Sequence, residues 1–182
     1  MTIGRCLVVV AALLLSGIAG AADDTAGKNL AISVEQLRLA AGRWSVVTEF
    51  LNEDRTVAST VSGSYEFEWV VPDRVLMGKS AGPDPKQSGG ILFYVSEKRG
   101  VIEMVSVHED GHLWVMTGPL GKETRYSQKF ESRDGKASQL RFTRFNVKDN
   151  AFESRMEYTE DGGKTWKPGN HQVFRRAKAS PG

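Results

Sequence analysis

Two histidines, His108 and His112, flank the turn residues Glu109, Asp110 and Gly111. Across a tight hairpin such residues face each other with Cβ atoms about 5 Å apart. Two imidazoles so placed could share a metal ion, with Glu109, Asp110 or His171 as third ligand. No fixed ligand spacing is met, so the preferred reading is a polar hairpin tip. Glu66 and Glu68 alternate along one segment, and Glu103 sits between Ile102 and Met104. Paired carboxylates run glycoside hydrolysis when they face each other across a pocket. Glu66 and Glu68 point away from the aromatic side of their segment, which makes them outward and wet. There is no Gly-x-Ser-x-Gly elbow, phosphate loop or dinucleotide fingerprint. No catalytic residue is assigned and no cofactor is implied.

The aromatic residues form a second group. Tyr65, Phe67, Trp69, Phe93 and Trp114, with Met116, Phe142 and Met156, are candidates for one apolar interior. In a wide barrel they coat a ligand cavity of about 300 Å³ or more; in a narrow one they fill it. The expectation is an interior filled, or mostly filled, by these side chains.

The elements that carry these residues follow from periodicity. Tyr65, Phe67 and Trp69 project to one side, and Ser64, Glu66 and Glu68 to the other. Phe152, Met156 and Tyr158 alternate in the same way with Glu153, Arg155 and Glu157. Such runs are strands with one dry face. Further strands are expected over 43–51, 74–80, 90–97, 101–108, 112–118, 124–131, 138–147 and 171–176. Turn signals separate them, among them Pro72-Asp73, Arg99-Gly100, Arg133-Asp134-Gly135 and Asp149-Asn150. No helix-length segment intervenes, so the strands run antiparallel. Closure hides their edges. The phase slip between Leu140/Phe142 and Phe145/Val147 predicts a bulge near Thr143. The stretch 81–90, with Pro83, Pro85 and Gly89-Gly90, is a connector near one barrel end. Before the strands, Ser33 and Gln36 fit a capping box, and Val34, Leu37 and Ala41 share a face. A short helix over 34–41 is predicted, ended by Gly42. The fold class is therefore all-β: a single antiparallel β-barrel of about nine or ten strands with a short N-terminal helix. A two-sheet sandwich is the alternative.

Gly42-Arg43-Trp44 opens the first strand, and Arg175-Arg176 ends the last. This arrangement resembles the lipocalin and wider calycin pattern. The resemblance implies that Trp44 closes one barrel end with Arg175 or Arg176 across its ring. It also makes His171 a candidate axial ligand, since some small calycin barrels hold haem through a late-strand histidine. A half-buried histidine at a strand start is the preferred reading. Thr159 to Trp166 (Thr-Glu-Asp-Gly-Gly-Lys-Thr-Trp) resembles the Asp-box hairpin of sialidases and other β proteins. In it Asp161 bonds backbone N–H groups and Trp166 folds under its own hairpin. A single copy without repeats argues against a sialidase. From residue 35 to 176 the chain is similar to a family of bacterial exported proteins of unknown function with lipocalin-like barrels. That resemblance implies a fold and a compartment, and no catalytic residues.

Arg5 is the only charged side chain before Asp23, and it precedes the apolar run from Cys6 to Leu15. Ala19-Gly20-Ala21 then offers a small-x-small cleavage site, the layout of a secretory signal peptide. The expected organisation is a signal peptide over 1–21, a flexible leader over 22–33, the barrel domain over 34–176 and a disordered tail over 177–182. The apolar run is shorter than the ~20 residues of a spanning helix, so no membrane span is expected in the mature chain. The 24 basic and 22 acidic residues nearly cancel, which does not suit a nucleic-acid partner. Cys6 is the one cysteine, so no internal disulfide forms.

Together these features imply an exported, non-catalytic barrel protein that binds a small apolar or amphipathic ligand. The alternatives are a hydrolytic or metal-dependent enzyme built on His108, His112 and nearby carboxylates at the barrel mouth, and a solid-barrel interaction module. Export to the bacterial periplasm predicts that fractionation recovers a mature chain beginning at Ala22. A cytosolic chain still carrying Met1 to Ala21 contradicts this.

Overall fold

The structure, a computed structural model, describes residues 19–83, 88–108, 111–132 and 134–177. The expected signal segment before Ala19, the centre of the 81–90 connector, Glu109, Asp110, Arg133 and the tail from 178 lie outside these residues. One helix, α1 (Ala19–Ala40), precedes eleven strands: β1 (Gly42–Leu51), β2 (Val57–Val71), β3 (Val75–Ala81), β4 (Gly89–Ser96), β5 (Val101–His108), β6 (Leu113–Pro119), β7 (Thr124–Ser127), β8 (Phe130–Glu131), β9 (Ala137–Lys148), β10 (Ala151–Thr159) and β11 (Lys167–Arg176). All pairings are antiparallel. β1 to β7 pair in order, β7 joins β9, and β9, β10 and β11 lead back to β1. This closes a ten-stranded antiparallel barrel, with β8 a two-residue flap on β9. The single strand expected over 124–131 is thus broken between Ser127 and Phe130.

α1 is longer than the predicted 34–41. Its 22 residues take in the stretch 22–33 that was expected to be a flexible leader. That stretch lacks proline and contains several alanines, which favour helix. Ser33 does not cap the helix; it lies within it, wholly buried, and its hydroxyl accepts the N–H of Gly121 at 2.8 Å. Residues 24–28 are exposed, whereas Val34, Leu37 and Ala40 enter the core. The last turns of the helix therefore plug one end of the barrel. Among the described residues, no helix is long and apolar enough to cross a membrane.

A single cationic side chain ties the plug to the barrel. The Arg176 guanidinium lies 4.3 Å from the centre of the Trp44 ring. It donates to the carbonyls of Leu39 (3.2 Å), Ala41 (2.8 Å) and Asp149 (2.8 Å). Trp44 is fully buried, donates from Nε1 to Ala40 O at 2.8 Å, and meets Phe152 edge-on at 4.8 Å. The carbonyls left over at a helix C-terminus are thereby satisfied. Gly42 has φ of 110°, and a Cβ there would come within 2.6 Å of Arg176 Nη1. Conformation and space both require glycine at that position. Arg175 is exposed and takes no part in this stacking.

The phase slip in β9 is resolved further along than Thr143. The register between β9 and β10 shifts where Lys148 and Phe145 face Ala151 and Glu153, around Asn146, whose φ is 50°. Leu140, Phe142 and Val147 reach the core. Phe145 instead stacks on His171 with centroids 6.0 Å apart, and Arg155 lies 5.4 Å from its ring.

The 159–166 hairpin is held by its aspartate. Asp161 accepts the backbone N–H of Lys164 and Thr165, at 2.9 and 3.0 Å, and the hydroxyls of Thr159 and Thr165. These donors hold its carboxyl well below the usual carboxylate range. Trp166 does not simply fold under its own turn. It reaches to β7 and β9, with Arg141 4.2 Å from its ring and Tyr126 at 5.9 Å.

Replacing Trp44 by Ala should cost ~3–5 kcal/mol in a denaturant titration, the range for a large buried ring. A loss below about 1 kcal/mol would mean that the ring does not close the barrel.

Candidate functional site

The barrel is not filled. Above the α1 plug lies a cavity of about 430 Å³. Its floor is formed by Gln36, Leu37 and Ala40 of α1, and its walls include Phe67, Phe93, Met104, Phe142 and Phe174. The opposite end opens among Phe50, Val61, Gly82, His108 and Asn170. The register fixes this polarity, because β1 runs from Gly42 at the plug to Phe50 at the far end. The expectation of a filled or mostly filled interior is overturned. Ten strands make the ring wide, and the plug occupies only one end. Gly78 is part of that accommodation: a Cβ there would overlap the ring of Phe67.

Of the predicted lining, Tyr65, Phe67 and Phe93 face the cavity, as do Phe142 and Met156. Trp69 and Trp114 are not among the residues that line it. Phe67 already pairs with Gly42 at the start of β1, so Trp69, two residues further along, lies below the floor and packs against the core there. Trp114 leans sideways onto Phe130 of β8 at 5.0 Å and onto His112 at 4.3 Å. It covers the seam where β6 and β7 share only two residue pairs. Met116 is buried in the core.

Each histidine has its own neighbours among the described residues. His108 lines the cavity mouth, close to Gly89, while His112 stacks on Trp114. Among the described residues, no three metal-ligating side chains converge. His171 is held between Glu49 at 3.3 Å and Glu153 at 2.7 Å, one carboxylate on each ring nitrogen. Asn170, Gln172 and Phe174 line the cavity, so by alternation His171 projects from the outer face. It is not placed to ligate a haem inside the barrel. Glu66 also faces outward and pairs with Arg43 at 2.7 Å and Lys79 at 3.4 Å. Glu103 is bound by Arg99 at 2.9 Å. Neither carboxylate lines the cavity.

The polar groups that do line it differ from those singled out by sequence. Gln172 donates to the Thr48 hydroxyl at 3.0 Å and accepts from Ser154 at 3.1 Å, a satisfied ladder across three strands. Burial pushes the Tyr65 phenol up, with hydrogen bonding to Gln172 and Ser80 acting the other way. Two arginines lie near the floor. Arg144 is bidentate to Glu123, at 2.9 and 2.8 Å, and donates to Gln36 O at 2.9 Å. Arg125 is 2% exposed and sits between aromatic rings, with Cζ 5.5 Å from Phe93 and 5.9 Å from Phe142. Burial pushes it down to about 10, with Arg144 adding to the shift and Glu123 opposing it. It remains a cation at neutral pH. Arg144 continues the inward parity of Leu140 and Phe142, but a bulge near Thr143 would turn it outward, and the shift instead lies around Asn146. Arg125 was not legible in the sequence: β7 has four residues, and its one aromatic, Tyr126, faces solvent.

No protein-family model matches the chain, and no curated protein does. Solved structures do. The chain is similar to Rv2717c from M. tuberculosis at 13% identity and a TM-score of 0.53, over 80% of this chain and 98% of that one. It is similar to the S-type phycobiliprotein lyase CPES from Guillardia theta at 12% identity and a TM-score of 0.49, over 85% and 98%. A protein of unknown function from the DUF3598 family of Nostoc punctiforme matches at 11% identity and a TM-score of 0.48, over 77% of this chain and 48% of its own. The chain thus spans about half the length of that protein. The likeness to Rv2717c is one of fold.

Glu123 is the counter-ion that makes a buried Arg144 tolerable. Replacing Glu123 by Gln should cost about 2 kcal/mol by chemical denaturation, less than the ~3–5 of a fully buried pair because Glu123 retains some contact with water. An unchanged midpoint would show that Gln36 O and solvent suffice for Arg144.

Proposed function

We propose that the protein is an exported, non-catalytic carrier that holds one small apolar or amphipathic molecule inside the barrel. The cavity carries this reading. Its volume of about 430 Å³ falls within the ~300–1,000 Å³ range of small-molecule sites. Its walls are mainly aromatic and aliphatic, with polar groups such as Thr48, Ser80, Ser106 and Gln172 set among them. An open mouth opposite a plugged floor gives a ligand one way in. The N-terminal charge and apolar pattern supports export, and the periplasm is the proposed compartment. Tyr65, Phe67 and Phe93 are the proposed ligand contacts among the aromatic residues.

A solid interaction module is not compatible with an interior of this size. The enzymatic alternative would rest on His108 and His112 with Glu109 and Asp110, and those two carboxylates lie outside the described residues.

The neutral dye N-phenyl-1-naphthylamine should brighten saturably with one site per chain. Ser106→Trp places an indole in the cavity and should weaken that binding at least tenfold while thermal unfolding stays cooperative. Undiminished dye binding in this variant would locate the dye outside the barrel and overturn the reading.

A further inference from the structure

Among the described residues, two buried polar side-chain atoms have no hydrogen-bond partner: Arg125 Nε and Gln36 Oε1. Both residues line the same cavity. A buried donor left without an acceptor costs free energy that a ligand can recover. Arg125 is the stronger case, because it is a buried cation without a counter-ion of its own. The one carboxylate that acts on it, Glu123, is already committed to Nε and Nη2 of Arg144. Among the described residues, no aspartate or glutamate lines the cavity, whereas Arg125 and Arg144 both do. The floor therefore carries one positive charge that no carboxylate there neutralises, and the cavity above it is mostly apolar.

We propose that the cavity takes an amphiphile with a single carboxylate. The head group binds the Arg125 guanidinium at the floor, and the tail lies along Phe67, Phe93 and Phe142 toward the mouth. A carboxylate matches a guanidinium edge with two parallel acceptors. One unpaired guanidinium balances one negative charge; a phosphate monoester would bring more charge than the floor can match. The Gln36 amide can turn by half a revolution and present its NH2 to the second carboxylate oxygen. A free small anion would satisfy Arg125 but leave the apolar walls uncovered, so the tail is part of the recognition. This assignment rests on the carrier reading above.

The test compares dodecanoate with dodecanol, each displacing N-phenyl-1-naphthylamine, on the wild type and on Arg125→Met. Met keeps the apolar length of the side chain and removes an unpaired buried charge, so the variant should fold. The wild type should prefer dodecanoate by at least about tenfold, the value of one charge-assisted hydrogen bond. Arg125→Met should bind both about equally and still bind the neutral dye. Arg125→Lys should keep a reduced preference, and acetate at the same concentrations should displace nothing. Equal affinity of the two amphiphiles for the wild type, or a preference that survives Arg125→Met, would overturn the carboxylate assignment and leave the carrier reading standing. Acetate competing as well as dodecanoate would reduce the site to one for a free anion and likewise overturn it. If neither amphiphile nor dye binds, both readings fall.

Discussion

Three carbonyl oxygens converge at the closed end of the barrel from segments far apart in sequence: Leu39 and Ala41 at the end of α1, and Asp149 in the turn between β9 and β10. One side chain, Arg176, donates to all three and lies over the Trp44 ring. One guanidinium that answers all three links the helix end, the β9–β10 turn and the last strand. The position of α1 follows from this clamp. With its last turns fixed there, Leu37 and Ala40 become the cavity floor. The depth of the cavity and the placing of its charge at the bottom both follow from where that helix stops.

The interior then divides its polar groups in two ways. Thr48, Gln172 and Ser154 answer one another across neighbouring strands and ask nothing of a ligand. Arg144 is neutralised from behind by Glu123 and also supports the helix through Gln36 O. Arg125 has only the faces of two aromatic rings, which soften the burial of a cation without supplying an acceptor. The outer surface follows the opposite habit. Glu66, Glu103 and Glu160 all meet cations there, and His171 is clasped by two carboxylates. Residues that invite a mechanistic reading in the sequence are thus spent on exterior pairing, whereas the unspent charge is interior.

Alternation, turn residues and the Gly42-Arg43-Trp44 and Arg175-Arg176 ends were enough to read an antiparallel barrel of about ten strands. Each is a local consequence of backbone geometry: period two along a strand, and glycine where φ is positive. The same alternation placed Tyr65, Phe67 and Phe93 on the inner face and Glu66 on the outer. It misled at Trp69 and Trp114, which have inward parity but lie below the floor and at a seam. Parity says which face a side chain takes and nothing of its height along the barrel. Height comes from register, and register is a relation between strands. The bulge was read near Thr143 because Phe145 was assumed to serve the core; its partners, His171 and Arg155, are on other strands. The helix was read too short because Ser33 looked like a cap, and only the approach of Gly121 shows that its hydroxyl is used elsewhere. Whether the barrel is hollow depends on how far a plug enters a ring of a given circumference, and neither length is written in any one segment. So too with Arg125: the sequence states that an arginine stands in a short polar strand, and only the assembled barrel leaves it buried, facing a cavity and without an acceptor.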